Sequence, residues 1–130
     1  MVDIDHFKKV NDTFGHTEGD KVLQEIASLL KASVRKKDTV ARYGGEEFIL
    51  ILPEAGLEEA AMISERIRQL VEKTLFDVGQ AHINLTVSLG ISNFPSHRAR
   101  TKEDLIKMAD QALYDAKRGG RNRVCVFNPG

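Results

Sequence analysis

Two strand-like runs, Thr39 to Tyr43 and Glu46 to Leu52, are separated only by Gly44-Gly45. Two such runs joined by two glycines predict a β-hairpin, because a type I′ turn needs φ > 0 at both central residues. Pro53 ends the second run, since proline has no amide to give to a ladder. Upstream, Met1 to Ile4 reads as the end of a strand. His6 to Phe14 follows as a short helix closed by Gly15, and Thr17 to Val34 as an amphipathic helix. That second helix carries Val22, Leu23, Ile26, Ala27, Leu30 and Val34 on one stripe, and Thr17-x-x-Asp20 marks its start as a shortened capping box. Downstream, Leu57 to Thr74 is helical, with Ala60, Ile63, Ile67, Leu70 and Val71 facing inward. Ile83 to Ser92 is rich in β-branched residues and reads as one strand. Thr101-x-x-Asp104 caps a last helix through Lys117, and Arg123 to Phe127 forms a final strand after Gly119-Gly120.

The order βαββαβ, then αβ, predicts an α+β fold: a ferredoxin-like split βαβ antiparallel sheet with helices packed on it and an appended helix and strand. In that topology the first strand lies between the third and the fourth, antiparallel to the third. Asp3, at the end of the first strand, is therefore expected beside Glu46, at the start of the third. At 130 residues the chain is read as one domain, residues 1–130, large enough to hold a core without staples. Lys+Arg and Asp+Glu are 19 each, so no global basic field draws in DNA or RNA. Cys125 is the one cysteine, which excludes an internal disulfide and fits a reducing, cytoplasmic compartment. The apolar runs fall far short of the ~20 residues needed to span a bilayer, so no direct membrane contact is expected.

The topology gathers Asp3, Asp5, Glu46 and Glu47 at one end of the sheet beside the glycine hairpin. Hard divalent cations take such oxygen ligands together with substrate phosphates, which suits phosphoryl transfer. The same acids also serve a purely structural end, as a charged hairpin rim that discourages edge pairing. His6 and His16 have no metal-ligand spacing with Cys125, so no zinc site is read.

Four stretches carry a resemblance. They are Asp3-Ile4-Asp5-His6-Phe7-Lys8-Lys9-Val10-Asn11-Asp12-Thr13-Phe14-Gly15-His16 with Gly19-Asp20, then Arg42-Tyr43-Gly44-Gly45-Glu46-Glu47-Phe48, then Ala109-Asp110-Gln111-Ala112-Leu113-Tyr114-Asp115-Ala116-Lys117, and finally Gly120-Arg121-Asn122. In this order they resemble the GGDEF family of diguanylate cyclases, a nucleotide-cyclase or polymerase-palm type of fold. Glu46 stands where the family name has aspartate, and it keeps the carboxylate.

The resemblance implies an enzyme that condenses two GTP into cyclic di-GMP with Mg²⁺ or Mn²⁺, through a transient homodimer in which each domain holds one GTP. Asp3, the Ile4 carbonyl and Glu46 resemble the metal ligands, and Glu47 a further catalytic acid. Asn11 and Asp20 resemble the pair that binds the guanine edge. A carboxylate suits guanine because it accepts from N1–H and N2–H₂, a donor pair adenine lacks. Lys117 and Arg121 resemble the grip on the β- and γ-phosphates, aided by backbone amides at Phe7 and Lys8. Arg35-Lys36-Lys37-Asp38 fits the family's R-x-x-D inhibitory site for product, which Arg66 resembles completing from a partner subunit. The family also has an upstream helix, an aspartate-leucine-threonine-glycine turn and the rest of the first strand. The resemblance therefore implies a truncated domain. The other reading is a non-catalytic module that senses GTP or cyclic di-GMP.

Overall fold

The computed structural model describes residues 1–129. Seven strands and four helices are seen among them: β1 Val2–Ile4, α1 Phe7–Phe14, α2 His16–Ser33, β2 Thr39–Gly44, β3 Glu47–Ile51, α3 Leu57–Lys73, β4 Leu75–Val78, β5 Ala81–Asn84, β6 Val87–Ile91, α4 Lys102–Arg118 and β7 Val124–Val126. The main sheet runs β2-β3-β1-β6-β7. As the sequence predicts, β1 lies between β3 and the strand that carries residues 87–91, β6, antiparallel to both, while β7 is added parallel to β6. Val2 pairs with Phe48 and Asp3 with Glu47 across one ladder, and Asp3 pairs with Ser88 across the other. The core holds Ile4, Val22, Ile26, Leu30, Phe48, Ile67, Val71, Phe76, Val87 and Leu89, each nearly or fully buried. No helix among the described residues is long and apolar enough to cross a membrane.

Four local expectations change. The hairpin forms, but Gly44 belongs to β2 and pairs with Glu47, so the turn residues are Gly45 and Glu46. Neither Gly44 nor Gly45 has a left-handed φ, so the turn is not type I′. A register shift between Arg42 and Gly44 absorbs the twist instead. Second, Thr17 does not cap α2. Gly15, at φ 91°, closes α1 and opens α2 in a single residue, so the helix already includes His16. Asp20 is thereby released from capping.

Third, residues 83–92 form two strands rather than one. β5 pairs with β4 in a separate two-stranded sheet turned at Gly79 (φ 62°), and β6 joins the main sheet. Leu85 and Thr86 separate them, with Leu85 packed into the core. Finally, Leu70, expected to face inward, is 37% exposed because the α3 stripe is narrower than the periodicity suggests.

Candidate active site

Burial and hydrogen bonding build the site outward from β1. Asp3 is buried and its Oδ2 accepts from Lys117 Nζ of α4 at 2.5 Å. Desolvation pushes its pKa above the usual aspartate value and the neighbouring Glu46 and Asp5 add to this, while Lys117 opposes. Glu47, opposite Asp3 in the ladder, is raised as well, by burial first and then by the charge on Asp3. Asp3, Glu46 and Glu47 thus form a pole of negative charge that costs free energy to hold ionised without a cation.

Asp5 contributes charge to this pole, but its oxygens are committed elsewhere. Oδ1 accepts from Ser88 Oγ (2.7 Å), and Oδ2 accepts from Thr86 Oγ1 (2.7 Å) and from the Asn122 amide (3.0 Å). The expected four-acid group is therefore three acids and a structural carboxylate. Among the described residues no three His, Cys, Asp or Glu side chains converge as a ready metal cage. The donor set is two carboxylates and one main-chain oxygen. The Ile4 amide donates to the Glu46 carbonyl (3.2 Å), and an extended residue turns its carbonyl to the same side as its amide. Asp3, the Ile4 carbonyl and Glu46 therefore fit a hard divalent ion that keeps open positions for water and phosphate, and they do not fit a zinc cage.

Glu46 also forms one wall of a cleft of about 440 Å³ lined by Phe7, Lys8, Asn11, His16, Asp20, Leu23, Arg42 and Gly45. Asn11 and Asp20, nine residues apart in sequence, thus face one space, because Gly15 folds α1 back on α2. Gly19 makes this possible. A Cβ built there lies 1.9 Å from Asn11 Oδ1, so any side chain would displace the amide. The α1 N-terminus has no side-chain cap, which leaves its first amides, at Phe7 and Lys8, free of side-chain acceptors. Arg42 braces the hairpin tip through Nε and Nη2 to the Gly45 carbonyl (3.1 and 2.7 Å). Gly19, His16 and Arg42 were missed as site residues in the sequence, although all three lie inside the motifs that carry the others.

Arg121 follows α4 in a left-handed conformation (φ 64°), exposed, and its guanidinium makes no ion pair among the described residues. Lys117 and Arg121 therefore stand apart, one bound to Asp3 and the other open. A larger apolar groove, about 810 Å³, opens at the other end of β1 and contains none of the predicted site residues. The smaller, polar cleft is the one that holds Phe7, Lys8, Asn11, Asp20 and Glu46.

The R-x-x-D segment forms a compact unit at the end of α2. The Arg35 Nε and Nη2 clasp the Asp38 carboxylate (2.9 and 2.7 Å), Nη2 also donates to the Pro53 carbonyl, and Nη1 reaches Glu59 (3.2 Å). The hydrogen bonds from Arg35 pull the Asp38 pKa down. Arg66 of the same chain donates to the Ser33 carbonyl, two residues before Arg35.

The model of the family described as "Diguanylate cyclase, GGDEF domain" matches residues 1–123. The chain belongs to the GGDEF family. It is 44% identical over 126 residues to diguanylate cyclase A of Treponema denticola, covering 97% of this chain and 34% of that protein. The active GGEEF domain of a diguanylate cyclase from Vibrio cholerae superposes with a TM-score of 0.88 at 35% identity, over 99% of this chain and 81% of that one. The GGDEF domain of DgcB from Caulobacter crescentus, in complex with c-di-GMP, gives 0.87 at 38% identity, over 96% and 74%. The GGDEF chain described here spans about three-tenths of the length of the curated relatives it matches. Its α+β architecture is that of the solved GGDEF domains, as the motifs imply.

Proposed function

We propose that this GGDEF domain is a diguanylate cyclase. The 3′-hydroxyl of one GTP attacks the α-phosphorus of the other, the bond to the β-phosphate breaks, and pyrophosphate leaves. The reciprocal attack closes cyclic di-GMP. The observation that carries the reading is the single wall formed by Glu46, which joins the acid pole of Asp3 and Glu47 to the cleft of Asn11 and Asp20. Asp20 and Asn11 hold the guanine edge, which selects against adenine. The Phe7 and Lys8 amides, Lys117 and Arg121 hold the phosphates. Asp3, the Ile4 carbonyl and Glu46 hold Mg²⁺ or Mn²⁺, which neutralises charge on the reacting phosphate when bound. Glu47 sits beside the attacking hydroxyl.

One cleft holds one GTP, so turnover requires two copies face to face in a transient dimer. Arg35 and Asp38, with Arg66 of the partner subunit, form the product-binding site that restrains the enzyme. Arg35 suits a phosphate because its fork is already planar and fixed.

The test is product analysis by chromatography and mass detection after incubation with GTP, Mg²⁺ and pyrophosphatase. Cyclic di-GMP is expected from the parent chain. Glu46→Ala is expected to lower it by roughly 100-fold or more, the scale of losing one anchor of transition-state charge. Equal product from both chains overturns the metal assignment.

A further inference from the structure

Three consecutive residues after α4 have positive φ: Gly120 at 123°, Arg121 at 64° and Asn122 at 47°. For the two that are not glycine this conformation is held only where the surroundings over-determine it. Asn122 shows what does so. Its amide donates to Asp5 Oδ2 (3.0 Å), its Nδ2 to Glu72 Oε2 (2.6 Å), and its Oδ1 accepts from Arg68 Nη1 (3.0 Å). Arg68 is itself fixed by a two-bond fork to Glu65, 2.7 Å on each arm. Asp5 is buried and fixed by Ser88 and Thr86. Asn122 is thus gripped from β1 on one side and α3 on the other.

We infer that Asn122, clamped by Asp5 and Arg68, is a positioning residue that aims Arg121 at the triphosphate. This rests on the reading of Arg121 as a phosphate ligand. Among the described residues the Arg121 guanidinium makes no ion pair, so its direction is set by its backbone. Its amide is tied back to the Ala116 carbonyl (3.0 Å), and the next residue is pinned by Asn122. A guanidinium with a long, flexible stem binds phosphate well only when its root does not move, because ordering it at the moment of binding costs entropy. The Asp5 carboxylate gives the arrangement a further consequence. The strand that presents Asp3 to the metal also fixes the turn that presents Arg121 to the phosphates.

The experiment measures binding to the full chain by calorimetry with Mg²⁺. The two ligands are GMP and an unreactive GTP analogue with methylene in place of the α–β bridging oxygen. The parent is expected to bind the analogue more tightly than GMP, and Arg121→Ala to lose most of that preference. Asn122→Ala and, separately, Arg68→Met are each expected to weaken analogue binding about ten-fold, the effect of losing one charge-assisted contact. GMP binding should change less than two-fold. The double variant should be no weaker than either single one, since both break one clamp. Arg68→Met leaves the backbone of the turn untouched, so it reports even where Asn122→Ala folds poorly. Equal losses for GMP and analogue, or an unchanged preference in both variants, overturn the positioning role. A parent that binds the two ligands equally overturns the phosphate assignment beneath it.

Discussion

At the scale of single residues, Gly19 and Glu47 make opposite demands on their surroundings. Gly19 lets Asn11 into the cleft by having no side chain. Gly19→Ala puts a methyl where Asn11 Oδ1 now sits, and what it meets there is the far end of a side chain, which can turn aside. The expected result is a rise of about ten-fold in KM for GTP, the loss of a polar contact or so, with the unfolding midpoint close to that of the parent. An unchanged KM removes Asn11 from the guanine contact. Glu47 is held at a cost. Its pKa is raised in the folded chain, through burial first and the Asp3 charge second, so the folded state holds this proton more tightly than the unfolded one. Below the unfolded value both states are protonated and nothing is lost. As pH rises from the unfolded value to the folded one, the unfolded chain gives up its proton first and the fold loses stability, a loss that is complete above the folded value. Glu47→Gln in metal-free buffer should therefore raise the thermal midpoint at pH 7, with the gain fading as pH falls into the glutamate range. A variant less stable than the parent at pH 7 would show that its neighbours hold Glu47 as an anion.

Among the elements, the turn between α2 and β2 shows the reverse sign. Hydrogen bonds from Arg35 depress the Asp38 pKa. This contributes stability that is present above the unfolded pKa and is lost as pH falls through the folded one. Asp38→Asn should melt earlier than the parent at pH 7, and the two curves should converge in acid. Product should also inhibit it less, since Arg35 loses the partner that fixes its fork. Identical melting at pH 7 would mean the clasp is worth nothing to the fold. Elements are also where the sequence was easiest and hardest to read. α3 and α4 follow the 3.6-residue period, and Thr101 Oγ1 does accept from the Asp104 amide (3.0 Å) at the start of α4. The β4–β5 hairpin was missed, although Phe76 and Val78 alternate with exposed neighbours and Gly79 marks its turn. Ile83, β-branched and followed by more such residues, reads as the start of the longer strand. Only pairing partners reveal the break at Leu85. The capping pattern at Thr17 misled for a related reason: a left-handed glycine one residue before the helix does the work that a threonine would have done.

For the whole molecule, the strand order followed from the element order alone, and it placed Asp3 beside Glu46, one residue short of Glu47, with which it pairs. What pattern could not give is which charges are already satisfied. Asp5 and Asp3 look alike in the sequence, yet one is spent on Ser88, Thr86 and Asn122 and the other faces Lys117. That difference depends on how α4 sits on the sheet, and Gly90 sets this contact. A Cβ on Gly90 would lie 2.2 Å from the Leu113 nitrogen and 2.3 Å from the Ala109 oxygen, both main-chain atoms of α4. Neither can swing aside as a side chain would, so the helix must lift from β6. Gly90→Ala should then cost about 3 kcal/mol, the upper end of ordinary overpacking, read as a lower urea midpoint. Because α4 also carries Lys117, its lifting should weaken the pair with Asp3 and reduce binding of the GTP analogue in the surviving folded fraction. Gly19→Ala, by contrast, weakens nucleotide binding with little change in midpoint. The two alanine variants thus separate damage to the cleft from damage to the frame. A Gly90→Ala chain with the parent's midpoint would mean that α4 is not pressed against the sheet, and the placement of Lys117 on Asp3 would fall with it.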